Sequence, residues 1–79
     1  MTITVLLFAS YADAFGAPEL RLDLPDGASV RDVLAGVRGL CPGRPLPPAL
    51  VAVNQEYASP DRRLSATDEV AIIPPVAGG

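Results

Sequence analysis

Residues 69–79 read EVAIIPPVAGG, an apolar run followed by two prolines and, at the end, two glycines. The run Glu69–Ile73 predicts a β-strand, and the two prolines cannot extend a sheet because neither has an N–H to donate. The prolines also hold the backbone extended, while the glycines have no Cβ and make the last residues narrow. The segment therefore predicts a strand followed by a stiff tail. From residue 75 to residue 79 the tail reaches roughly 16 Å at ~3.3 Å per residue, and it ends in the carboxylate of Gly79.

Four more strands are predicted from the pattern of apolar residues. Alternation of apolar and polar residues in 2–8 and in 19–24 is typical of half-buried strands. Leu50–Val53 predicts a short apolar strand. Asn54-Gln55 after it predicts a hairpin turn, because asparagine tolerates a left-handed backbone, and a brief return strand is expected at 56–58.

Two helices are predicted between these strands. Ser10 is placed to cap a short helix that stops at Gly16. Ser29 and Asp32 resemble a capping box, with aspartate in place of the usual glutamate, and they predict the start of the main helix. Apolar residues at helical spacing continue that helix up to Gly39, which is expected to end it.

This order of elements predicts an α+β fold of the β-grasp, ubiquitin-like type: a mixed sheet with one main helix packed on one face and an extended C-terminal tail. In that arrangement the last strand is central, so the tail leaves from a rigid platform. Residues 1–73 are predicted to form the domain, with Leu64 filling the core beneath a loop at 60–63. Residues 74–79 are predicted to form the extended Gly-Gly tail.

The composition excludes most kinds of catalysis by this chain alone. Its 79 residues suffice for one domain, and they include no histidine and no lysine, since all six basic residues are arginine. The absence of histidine removes Ser-His and Cys-His pairs, and the absence of lysine removes Schiff-base chemistry and a Walker-type phosphate loop. The carboxylates show no spacing typical of a metal site. We therefore expect no metal and no bound cofactor, and any nucleotide chemistry must come from a partner.

Charge and hydropathy indicate the expected partners and compartment. A net charge of −3, dispersed arginines and few aromatic residues argue against nucleic-acid binding. No apolar run is long enough to span a membrane, and no basic residue precedes the apolar stretch Val5–Ala9, which argues against a secretory signal. A single cysteine suits a reducing compartment, so a cytoplasmic location is expected.

Side-chain alternation predicts an exposed apolar patch near the tail. Phe8 falls on the same face as Thr2 and Thr4, Ile73 falls on the same face as Glu69, and Tyr57 lies just past the hairpin. Such a patch is typical of a docking surface, although the same residues could belong to the core or be scattered surface residues.

Two other features carry weaker hypotheses. Cys41 could be a nucleophile, but without histidine to activate it an inert loop cysteine is favoured. Arg62-Arg63 could pair with acidic residues of a partner, and a solvated loop explains them equally well.

Short motifs along the whole chain carry a resemblance to one family. The matching segments are Leu6-Leu7-Phe8-Ala9, Gly16, Ala52-Val53-Asn54-Gln55, Leu64, Asp68-Glu69-Val70-Ala71 and Pro74-Pro75-Val76-Ala77-Gly78-Gly79. They resemble the MoaD family, the small sulfur-carrying subunit of molybdopterin synthase, within the ubiquitin-like MoaD/ThiS superfamily. The combination of Asp-Glu-Val, a two-residue spacer, Pro-Pro-Val and Gly-Gly is the most specific part of the resemblance.

The resemblance implies that the tail carries sulfur. In that family an adenylating enzyme of the ubiquitin-activating type, MoeB-like, uses ATP to convert the C-terminal carboxylate, here that of Gly79, to an acyl-adenylate. A sulfur donor then replaces AMP and leaves a thiocarboxylate. The chain itself is then not an enzyme but the sulfur-donating small subunit of a heteromeric sulfurtransferase.

The resemblance also implies how the sulfur is delivered. The tail enters the active site of the large subunit, which is MoaE-like, and the sulfur passes to cyclic pyranopterin monophosphate in molybdenum cofactor biosynthesis. Phe8, Tyr57 and Ile73 stand at positions similar to the hydrophobic partner contacts of the family. The inserted residues would be Pro74, Pro75, Val76, Ala77 and Gly78.

Other functions remain open from the sequence. The chain could carry sulfur for another pathway, such as thiazole or cysteine synthesis. It could be a ubiquitin-like protein modifier joined through Gly79 to lysines of its targets. It could also be a binding module whose tail is never modified.

Overall fold

A five-stranded mixed sheet forms the body of the chain in a computed structural model, which describes residues 1–43 and 46–74. The strands lie in the order β2-β1-β5-β3-β4, with β5 parallel to β1 and antiparallel to β3. The last strand is therefore central, and the predicted α+β β-grasp fold is confirmed. The elements in chain order are β1 (Thr2–Leu7), α1 (Ala9–Phe15), β2 (Glu19–Asp23), α2 (Val30–Gly39), β3 (Leu50–Val53), β4 (Glu56–Tyr57) and β5 (Val70–Ile73).

One face of the sheet forms the hydrophobic core with α2. Alternate residues of the two central strands point inward and are buried, as Val5 in β1 and Val70 and Ile72 in β5 show. Three valines at helical spacing in α2, namely Val30, Val33 and Val37, pack into the same cluster. Leu64 is also buried in this core, as predicted.

The start of α2 is joined to the loop that precedes Leu64. Asp32 accepts a hydrogen bond from the backbone N–H of Ser29 (2.9 Å), as the predicted capping box requires, and a further one from the Ser29 hydroxyl (3.2 Å). The N–H groups of Val30 and Arg31 at the helix start donate to the carbonyls of Arg62 and Pro60. Because these N–H groups have no partner within the helix, the loop satisfies them and is held in place.

Two predicted helix boundaries are wrong. The first helix begins at Ala9, so Ser10 lies inside its first turn and does not cap it. Ala9 adopts a left-handed backbone (φ 51°), which turns the chain out of β1 one residue earlier than the capping pattern indicates. The main helix includes Gly39 and ends on Leu40 in a right-handed conformation, so Gly39 is not a left-handed stop. Gly16 does end the first helix in the left-handed conformation (φ 66°), as predicted.

A buried tyrosine fixes the proline-rich loop. Tyr11 of α1 is fully buried, and its hydroxyl donates a 2.6 Å hydrogen bond to the carbonyl of Pro47. Pro47 lies in the loop between α2 and β3, where Leu46 and Ala49 also pack against the core. Tyr11 therefore links α1 to the segment that leads into β3.

We expect Tyr11→Phe to lower the free energy of unfolding by about 1–2 kcal/mol, because it removes this hydrogen bond and leaves the Pro47 carbonyl without it. Urea denaturation measures the effect. Tyr57→Phe is the matched control, since the side chain of Tyr57 is exposed and its change should stay within about 0.5 kcal/mol. Equal losses in the two variants would contradict the role given to Tyr11.

Candidate functional site: an apolar groove beside the tail

The face of the sheet opposite the core carries a continuous row of apolar side chains. Strand pairing places Leu6 opposite Ala71, Ala71 opposite Ala52, and Ala52 opposite Tyr57, so the row crosses four strands. Because side chains directly opposite one another lie on the same face, these residues form one surface. Leu50 and Ile73 are paired in the same way.

A groove of about 300 Å³ lies on this surface. It is lined by all three residues that the sequence predicts for a partner interface, Phe8, Tyr57 and Ile73. Phe8 is 46% exposed and Tyr57 is 69% exposed, and with the other apolar lining residues they form a contiguous patch of the kind that marks binding surfaces. The structure therefore brings the predicted residues together, and their role in binding stays a prediction.

Five further lining residues were not predicted: Leu6, Ala52, Gln55, Glu69 and Ala71. Leu6 could have been found from the sequence, because it shares its face with Thr4 in β1. Glu69 and Ala71 could have been found in the same way, because they share a face with Ile73. Ala52 and Gln55 depend on how β3 pairs with β5, and alternation within one strand does not give that pairing.

A network of hydrogen bonds fixes one end of the groove. Asn54 and Gln55 both have positive φ, 53° and 70°, as in the predicted two-residue hairpin turn. The amide of Asn54 donates to Asp68 (2.9 Å) and accepts from the backbone N–H of Glu69 (3.0 Å). The backbone N–H of Asn54 donates to the carbonyl of Glu69 (2.8 Å). The hairpin is thereby attached to the start of β5.

Asp68 is held in this network as a carboxylate. The backbone N–H of Ser65 donates to it (2.8 Å) and holds the pKa of Asp68 below its ordinary value of 3.8. The Asn54 amide and the charge of Arg62 lower the pKa further. The role of Asp68 is therefore to organise the turn before β5.

The tail begins directly beside the groove. Ile73 lines the groove as the last residue of β5, and Pro74, which follows it, is buried. The remaining predicted tail residues, Pro75, Val76, Ala77, Gly78 and Gly79, lie outside the described residues. The division of the chain into 1–73 and 74–79 stays a prediction.

The other features singled out in the sequence lie away from the groove. Arg63 donates a 2.6 Å hydrogen bond to the carbonyl of Gly27, and Arg31 pairs with Asp61 at 2.8 Å, both within the chain. Cys41 is a free, half-buried thiol. Within residues 1–43 and 46–74, no three histidine, cysteine or carboxylate side chains cluster as a metal site would. No helix in these ranges is long and apolar enough to cross a membrane.

The fold and the groove define a ubiquitin-like β-grasp protein, and the comparisons with known proteins give its family. The sequence pattern of the ThiS family matches residues 5–79, and the chain belongs to this family. It is 40% identical to the molybdopterin synthase sulfur carrier subunit of Chlamydomonas reinhardtii, with both chains fully covered. It is 38% identical to the same subunit of Dictyostelium discoideum, over 95% of this chain and 93% of the relative. The resemblance seen in the sequence is confirmed.

Solved structures agree with the fold. The chain is similar to SAMP1 from Haloferax volcanii, with a TM-score of 0.82 at 30% identity and full coverage of both chains. It is also similar to a putative molybdopterin converting factor, subunit 1, from Pyrococcus furiosus, with a TM-score of 0.83 at 28% identity over 96% of this chain and 99% of the other.

The network around Asp68 predicts a loss of stability in acid. Because its pKa is lower in the folded chain than in the unfolded chain, its stabilising contribution is complete above about pH 4 and is lost as the pH falls through the folded value. The urea concentration at the midpoint of unfolding should fall between about pH 6 and about pH 2.5, and it should fall less in Asp68→Asn than in the unmodified chain. The backbone N–H of Ser29 lowers the pKa of Asp32 in the same way. The urea midpoint of Asp32→Asn should therefore also fall less in acid than that of the unmodified chain. Parallel curves for all three proteins would contradict this account.

Proposed function

We propose that this chain is the sulfur carrier subunit of a molybdopterin synthase. The observation that carries the proposal is the position of the tail: the central strand β5 lines the apolar groove with Ile73 and continues directly into the Pro-Pro-Val-Ala-Gly-Gly segment. A partner that covers the groove would therefore receive the tail at its own active site. The full-length similarity to sulfur carrier subunits of that enzyme supports the same function.

The chemistry that we propose takes place at the carboxylate of Gly79. A carboxylate is a poor electrophile, so an adenylating partner of the MoeB type must activate it. An oxygen of Gly79 attacks the α-phosphate of ATP, pyrophosphate leaves, and an acyl-adenylate forms. A sulfur donor at the oxidation level of sulfide then attacks the acyl carbon and displaces AMP, which leaves a thiocarboxylate in which one oxygen has been exchanged for sulfur. The chain provides the acyl group, and the partner binds the nucleotide.

Delivery of the sulfur requires both parts of the chain. The groove, with Phe8, Tyr57 and Ile73, would bind a large subunit of the MoaE type by burying their exposed apolar surface. Residues 75–78 would then enter its active site, because a proline followed by small residues forms a thin, extended thread. Pro74, predicted as the first residue of that thread, is buried and would instead fix the base of the tail on the domain. There the thiocarboxylate would give its sulfur to cyclic pyranopterin monophosphate, and water would supply the oxygen that returns the carrier to a carboxylate, ready to be charged again.

A second candidate is a protein modifier. The similarity to SAMP1, a small archaeal modifier protein in Haloferax volcanii, favours it. In that function the activated carboxyl of Gly79 would form an isopeptide bond with a lysine of a target protein. The chain has no lysine of its own, so it could not build polymers on itself through lysine. Carriage of sulfur for thiazole or cysteine synthesis is a further variant of the first function, with another acceptor.

The carrier function predicts a specific change of mass. After incubation with ATP, a sulfur donor and a cognate activating enzyme, intact-mass spectrometry should show one oxygen exchanged for sulfur, and deletion of Gly79 should abolish the change. Cys41→Ser is the matched control, because a persulfide on the lone cysteine would add a sulfur without loss of oxygen. The exchange should persist in Cys41→Ser. An unchanged mass, with an activating enzyme that charges a known carrier, would contradict the proposal.

The groove predicts where a large subunit binds. Phe8→Ala and Tyr57→Ala should each weaken binding to a molybdopterin synthase large subunit by about tenfold or more, since each removes a large apolar contact. Leu40→Ala is the matched control, because Leu40 is also exposed (57%) but does not line the groove. Calorimetric titration measures all three. Equal weakening by Leu40→Ala, or none by the groove variants, would place the interface elsewhere.

A further inference from the structure

Backbone strain is concentrated beside the groove. In the part of the chain that the structure describes, three non-glycine residues have positive φ: Ala9, Asn54 and Gln55. Ala9 directly follows Phe8, and Gln55 itself lines the groove. Asparagine tolerates this conformation, and the side chain of Asn54 is used within the chain, but a glutamine at φ 70° is strained.

Gln55 is not the residue that the turn alone would select. Glycine is the preferred second residue of a two-residue hairpin turn with positive φ, because it has no Cβ to clash. A strained residue that persists on the surface indicates that its side chain is needed there. The side chain of Gln55 lines the groove, so its use is expected in whatever fills the groove.

The polar end of the groove presents hydrogen-bond acceptors. Gln55 and Glu69 are the two polar residues that line it, and no lining residue is basic. Glu69 is exposed, and its carboxylate makes no ion pair with a described residue. On the same face of β2, the exposed Glu19 is paired with Leu6 and the exposed Arg21 is paired with Thr4, so these two opposite charges lie outside the groove lining and offset each other. Hydrogen bonds join Asn54, the neighbour of Gln55, to the backbone of Glu69 and so keep the two polar residues close.

We propose that Gln55 and Glu69 bind a basic side chain of the protein that receives the tail, and that this contact determines which partner docks. Glu69 would accept hydrogen bonds from a guanidinium or ammonium group, and the amide oxygen of Gln55 would accept another. The occupant of the groove is thus a protein surface with apolar side chains and a flanking arginine or lysine. The inference rests on the proposed carrier function and adds the charge of the partner to it.

The test titrates purified molybdopterin synthase large subunit with the chain and with three variants, at low and at high salt. Glu69→Gln should weaken binding about tenfold at low salt and should reduce the salt dependence of the Kd. Gln55→Gly and Gln55→Ala should each weaken binding by about fivefold, because both remove the amide. Gln55→Gly should also leave the Tm equal to or a few degrees above that of the unmodified chain, since it relieves the strain. Weaker binding without a lower Tm cannot be explained by loss of fold.

Glu56→Gln is the matched control for charge. Glu56 is exposed on the same hairpin, but it is paired with Val53, which faces the core, and it does not line the groove. It should leave the Kd within about twofold of the unmodified chain.

The outcomes separate this inference from the proposed function. If Phe8→Ala weakens binding while the Gln55 and Glu69 variants bind as the unmodified chain does, the charge inference is overturned and the carrier function stands. If the unmodified chain does not bind the large subunit at all, both are overturned. Three further results would overturn the charge inference. One is an equal loss of affinity in Glu56→Gln, and another is a lower Tm in Gln55→Gly. The third is self-association of the chain through the groove that Glu69→Gln abolishes.

Discussion

The pairing of β5 on both of its edges is the constraint on which the rest of the structure depends. This strand of four residues is parallel to β1 on one side and antiparallel to β3 on the other. Its alternate residues serve different purposes: Val70 and Ile72 are fully buried in the core, while Ala71 and Ile73 line the groove on the opposite face. A shift of one residue in the pairing would exchange the two sets, exposing core residues and burying the groove. One register therefore fixes the core, the docking face and the point from which the tail leaves.

The surroundings of β5 make this platform rigid where the carrier function needs rigidity. Asn54 joins the hairpin to the residues just before the strand, and Asp68 is held there by Ser65. These contacts fix the end of the groove at which Gln55 and Glu69 lie. The backbone at these two residues is thus held in place before a partner binds, which limits the entropy that docking costs. In the proposed function, the groove would serve for recognition and the tail for delivery.

Much of this could be predicted from the sequence, because most of the elements are determined by local patterns. Alternation gave β1 and β2, apolar runs gave β3 and β5, and the Asn54-Gln55 pair gave the hairpin. The polar neighbours of Phe8 and Ile73 in alternation predicted that both face away from the core, and both line the groove. What could not be predicted depends on distant contacts or on strain. The hydrogen bond from Tyr11 joins residues that are 36 positions apart. No sequence pattern indicates that Ala9 adopts a left-handed backbone and thereby moves the start of the first helix. Gln55 and Glu69 become neighbours in the groove only because β3 pairs with β5.

Transfer of labelled sulfur from the charged chain tests the central claim most directly. The chain would be charged with isotopically labelled sulfur on Gly79, freed of ATP and activating enzyme, and mixed with a molybdopterin synthase large subunit and cyclic pyranopterin monophosphate. The account predicts that the label leaves the protein and appears in the dithiolene of the pterin product, and that the chain regains the mass of the free carboxylate. Label that stays on the chain, or a chain that instead becomes attached to lysines of other proteins, would contradict the assignment of a sulfur carrier.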